Sequence, residues 1–94
     1  MRARIIAKKM IEPYVERGDS LESLEASKMG MSSDGYDVSI GGYCHTDFGT
    51  DDAKTHKLRK GEIGVVLDDS RLYKFKLKDL FMELTTGKVQ MVLF

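Results

Sequence analysis

The turn cluster "SSDG", residues 32–35, is the feature that most constrains this chain, because the spacing of apolar residues changes there. Upstream, apolar residues recur every three or four positions, the period of an α-helix. Downstream they alternate with polar residues, the period of a strand. A chain that reads as helix first and strand afterwards folds as α+β, with helices packed on one antiparallel sheet.

In the upstream part, Ala3, Ile6, Ala7, Met10, Ile11 and Tyr14 share one helical face, with Arg4, Lys8 and Lys9 on the other. Pro13 lacks a backbone donor and disfavours helical geometry at Glu12, so this helix is expected to stop near 10–12 or to kink. A strand over 3–7 is the alternative. "DSLESLEASKMG" reads as a second helix. Asp19 is the expected N-cap, with Glu22 completing a capping box. Gly30 stands where a left-handed C-cap is expected, with Met31 folding back on the last turn.

In the downstream part, Tyr36, Val38 and Ile40 alternate with Asp37, Ser39 and Gly41, and Gly41-Gly42 suggests a bulge. A strand over 62–67, a turn at "DDS" and a returning strand "RLYKFKL" form an expected hairpin. "KDLFMEL" fits a short helix or a continued strand, "TTGK" reads as a turn, and "VQMVLF" as a final strand paired in the sheet or buried in an interface. The expected fold is a single α+β domain over 1–94. Two N-terminal helices precede a four- to five-stranded, mostly antiparallel sheet that can curl into a small SH3-like barrel.

A chain of 94 residues has a thin core, so self-association would help to cover apolar surface. Its 41% hydrophobic and 32% charged residues suit a globular protein rather than a disordered one. The single cysteine, Cys44, excludes an internal disulfide, and the basic first stretch has no long apolar run. The expected location is therefore cytoplasmic. Net charge is zero but segregated. Residues 1–11 hold four bases and no acid, residues 12–52 ten acids against two bases, and residues 53–94 nine bases against five acids. The simplest expectation is that both basic ends fold against the acidic middle; fields of opposite sign on one surface would also favour a partner.

"GGYCHTDFGTDDAKTHK", residues 41–57, holds the cysteine and both histidines. If the strand from Tyr36 runs on unbroken, Cys44 shares the core-facing parity of Val38 and Ile40, and His45 and Asp47 face solvent. A bulge at Gly41-Gly42 would reverse this. The surviving metal candidates are His45, Asp47 and His56, with Asp51 or Asp52 nearby; these residue types ligate zinc or a similar ion, but their spacing fits no strong signature. No cofactor is expected. A second candidate is the ladder Lys74, Lys76 and Lys78, opposite Tyr73, Phe75 and Leu77, with Arg59, Lys60 and Arg71 close by across the hairpin. It can hold a nucleic-acid backbone or guard an exposed edge. No exposed aromatic is clearly interleaved with it for base stacking. A third is the apolar end, Val89, Met91, Leu93 and Phe94, as a surface for a partner or for self-association.

Three short stretches resemble parts of known families. "SLESLEASKMGMS" resembles the first part of a helix-turn-helix, but Glu25 stands where an apolar residue belongs and "SDGYDVSIGG" reads as strand instead of a recognition helix. "KLRKGEIGVVLDD" resembles the turn-and-strand element of KOW or SH3-like barrels, which often bind RNA or protein. "GYDVSIG" is similar to a segment near the start of dCTP deaminases, whose later catalytic segments have no counterpart here. No phosphate-cradling loop, dinucleotide fingerprint or nucleophile elbow is present. The expectation is a small intracellular, non-enzymatic binding or regulatory protein that acts through protein–protein contact, of a kind common in phages and mobile elements. Nucleic-acid binding by the basic hairpin, and metal or small-ligand binding at 45–56, are the alternatives.

Overall fold

A computed structural model describes residues 2–46, 51 and 54–93, with side chains described through residue 86. The elements are α1 (Arg2–Arg17), α2 (Leu21–Ser27), β1 (Gly30–Ser33), β2 (Tyr36–Thr46), β3 (Lys54–Val66), β4 (Leu72–Lys76) and α3 (Leu77–Leu93). The four strands form one antiparallel sheet in the order β1-β2-β3-β4. Its two outer strands do not pair, so the sheet is open and no barrel closes.

Helix α1 continues past Pro13 to Arg17 instead of stopping near 10–12. Loss of one backbone hydrogen bond at the Lys9 carbonyl is outweighed by packing on both sides of the proline. Ala3, Ala7, Met10 and Ile11 before it, and Val15 after it, are all buried. Gly18, at φ 96°, ends the helix. Its N–H donates to the Val15 carbonyl and that of Asp19 to the Tyr14 carbonyl, a Schellman closure. The cap of α2 is Ser20, not Asp19: the Ser23 N–H donates to Ser20 Oγ at 3.1 Å. Asp19 is held by Arg17 instead, and this ion pair lowers the Asp19 carboxyl below its ordinary range. The left-handed C-cap residue is Lys28, at φ 49°, because Gly30 already belongs to β1.

Strand β1 was not anticipated. "GMSS" has no apolar alternation, and all four residues are exposed. It is set by the two-residue turn Asp34-Gly35, both at positive φ, which pairs Ser33 with Tyr36. The expected final strand "VQMVLF" is corrected to helix: α3 continues through Leu93, and Phe94 lies outside the described residues. Short apolar runs are ambiguous between the two states. Here the helix starts upstream, where Leu77, Leu80, Phe81 and Leu84 place a stripe against the core. Thr85 then donates its hydroxyl to the Phe81 carbonyl, one turn back, where a chain reversal had been expected.

One sheet face carries Val38, Ile40, Ile63, Val65, Tyr73 and Phe75 and packs on the three helices. Arg4 and Lys8 of α1 both reach Glu83 of α3, and Arg2 reaches Asp68. These N-terminal bases thus pair with acids of the C-terminal third, not with the acidic middle.

Candidate interaction surfaces

The β2–β3 hairpin does not pair in one continuous register. Its inner half pairs Ile40 with Ile63, its outer half pairs Gly42 with Leu58, and the register shifts between them. Gly41 and Gly42 sit at φ 61° and 65°, and Gly61 at φ 85°, conformations that cost a residue with a side chain. The ribbon turns there and its outer half, 42–46 with 54–58, folds back over the sheet face away from the helices. Several contacts establish this. The Cys44 thiol lies 3.6 Å from the carbonyl oxygens of Asp37 and Gly64. The His45 N–H donates to the Asp37 carboxylate at 2.8 Å. Leu58 rests on Gly64, where an added Cβ would meet its Cδ2 at 3.0 Å. In a straight strand Cys44 and Asp37 would stand about 23 Å apart.

The fold-back creates a second, smaller core of Cys44, Leu58 and Val66, with Leu72 packed against it. Cys44 is buried and His45 exposed, as strand parity suggested, but Cys44 lies on the face opposite Val38 and Ile40. The bend did reverse the parity; the reversed face is itself covered by the sheet. Burial, with the Asp37 carboxylate adding to it, pushes the Cys44 thiol up to about 12. A thiol so raised is protonated and a poor nucleophile.

Residues directly opposite in an antiparallel pair share a face. Cys44 pairs with His56 and His45 with Thr55, so the two histidines sit on opposite faces of the ribbon. The His45 ring bonds Thr55 Oγ1 at 3.2 Å, and the His56 ring bonds Thr46 Oγ1 at 3.4 Å. The structure therefore does not bring His45 and His56 together, and Asp47, with Asp52, lies outside the described residues. Among the described residues no group of three or more His, Cys, Asp or Glu converges as a metal site.

The basic candidates separate. Lys74 and Lys76 are exposed on β4, pointing away from the helices, with Glu62 directly across from Lys76. Lys78 leaves the ladder because α3 begins at Leu77. Arg71 sits beyond the turn, its N–H donating to Asp69, which also accepts from the Tyr73 hydroxyl. Arg59 and Lys60 lie in the register shift; the Arg59 N–H donates to Glu62. Lys60 joins Glu25, Ala26, Lys28, Gly41 and Gly42 around a pocket of about 310 Å³ between α2 and the bend.

Sequence reasoning missed Tyr43. It is 57% exposed and stands directly across from Lys57 on the outer side of the folded-back arm. Its parity opposite Cys44 was the available signal. Val89, Met91 and Leu93 belong to α3, and Phe94 lies outside the described residues. Among the described residues no helix is long and apolar enough to cross a membrane. Comparison with known protein families, curated proteins and solved structures finds no match to this chain.

Proposed function

We propose that this is a small binding protein that works by protein–protein contact, and that α3 is its contact element, with a second copy of the chain as the partner. The observation that carries this is Met82. It is 51% exposed, on the side of α3 away from the buried Leu77 and Leu80. In the sequence Val89 and Leu93 follow Met82 at helical spacing, and Met91 follows Leu84. A helical stretch that is apolar on more than one side belongs in a covered setting. Two α3 helices meeting about a two-fold axis would cover both copies with one self-complementary surface, and a chain this small gains most from such burial. The setting proposed is intracellular, where the Cys44 thiol stays reduced.

Sedimentation equilibrium of the full chain tests this. The expected result is a dimer at micromolar concentration. Val89→Glu and Leu93→Glu should each yield a monomer with unchanged far-ultraviolet circular dichroism, since these positions lie beyond the last described core residue of α3. A chain that stays monomeric as its concentration rises into the high micromolar range defeats the proposal.

A further inference from the structure

We infer that the face of the molecule opposite the helices binds single-stranded nucleic acid, with Tyr43 stacking on a base and Lys57, Lys74 and Lys76 holding phosphates. The fold-back is what assembles this face. Its inner side, Cys44 and Leu58, rests on the sheet, so its outer side, Tyr43, His45, Thr55 and Lys57, points away from the helices. Lys74 and Lys76 point the same way from β4, since Tyr73 and Phe75, which alternate with them, pack on the helical side. The two sets are neighbours. Leu58, next to Lys57 in the chain, lies on Gly64, and Gly64 is the cross-strand partner of Lys74. The lysine ladder thereby gains the exposed aromatic ring that the sequence did not place beside it.

The chemistry selects the ligand. An exposed ring beside cations offers a stacking platform and phosphate partners together, and only unpaired bases present a free face to stack on. Lys74 and Lys76 are two residues apart on one strand face, about 7 Å, the scale of the step between successive phosphates in an extended strand. Asp37 and Glu62 accept backbone N–H bonds from His45 and Arg59, which orient these carboxylates but leave their charge in place.

Fluorescence anisotropy with labelled oligothymidine and oligouridine, at two salt concentrations, tests the inference on the full chain. Binding should be stronger at low salt, with a slope of log affinity against log salt of about −2 for three neutralised phosphates on a single strand. Tyr43→Ala should weaken binding about tenfold or more while Tyr43→Phe, which keeps the ring, should not. The double change Lys74→Gln and Lys76→Gln should make the slope shallower by about 1.4. Tyr43 and both lysines are surface residues, and circular dichroism and the urea midpoint confirm that each variant is folded. No anisotropy change at low salt overturns the inference. So does equal or tighter binding of a duplex of the same length, unchanged affinity in Tyr43→Ala, or binding to anionic lipid vesicles without binding to the oligonucleotides.

Discussion

Gly64→Ala puts a methyl group where the folded-back arm meets the sheet. The new Cβ would stand 3.0 and 3.1 Å from the two Leu58 methyls and 3.3 Å from Leu72 Cδ1. Leu58 is 3% exposed and enclosed by Cys44, Val66 and Leu72, so it has little room to yield. Overpacking of this kind costs about 1–3 kcal/mol. Gly64 is not among the positive-φ glycines, so alanine fits its backbone and returns about 0.4–1 kcal/mol by restricting the unfolded chain. The expected net loss is about 1–2 kcal/mol. Leu58→Ala empties the same space and should cost about 2–4 kcal/mol. In the double variant the methyl at 64 occupies part of the space left at 58. The two losses should then add to less than their sum, with a coupling of about 1 kcal/mol or more. Urea denaturation of the four proteins, read at a common m-value, measures the cycle. A stabilising Gly64→Ala, as expected for an uncovered strand position, or strict additivity, would show that Leu58 does not rest on Gly64 and would refute the reasoning.

Three further outcomes follow from single sites. Cys44, with its thiol raised to about 12, should resist alkylation in the folded protein at mildly alkaline pH and react once urea unfolds the chain; because the unfolded thiol ionises first, stability measured by urea titration should fall as pH rises above about 8.5. Asp69 is held below the ordinary carboxylate range by the Arg71 N–H, with the Tyr73 hydroxyl adding to it; its stabilisation is complete above that range and fades as pH falls through the depressed value, so Asp69→Asn should flatten the acid limb of a stability profile taken from about pH 6 to 2. Pro13 is exposed inside α1, so Pro13→Ala restores a donor to the Lys9 carbonyl without removing buried surface and should raise thermal stability by about 1–2 kcal/mol in calorimetry.

Local signals were legible where they were strong. The apolar stripe Ala3, Ala7, Met10 and Ile11 announced α1, the alternation from Tyr36 announced β2, and "DDS" announced the turn into β4. β1 was not legible, because "GMSS" owes its strand state to the Asp34-Gly35 turn and to pairing with β2. Nor was the helical state of the end of the chain, where an apolar run fits either period and the helix begun at Leu77 decided. The fold-back was only half legible. Gly41-Gly42 marked a place where the strand could bend, but nothing local says how far, or onto which face. That choice is made by Cys44 and Leu58, which reach Val66 and Leu72 only after the bend has formed. The candidate face was scattered for the same reason: Tyr43, Lys57, Lys74 and Lys76 come together through a tertiary event.

The fold-back is the step on which the small core, the buried thiol and the proposed nucleic-acid face all depend. Methyl nuclear Overhauser contacts between Leu58 and Leu72 in the full chain test it most directly. The account predicts strong cross-peaks, because both side chains lie within reach of Gly64. A hairpin that continued straight would hold Leu58 about 26 Å from Val66, the partner of Leu72, and would give no such cross-peak. That result would contradict the account.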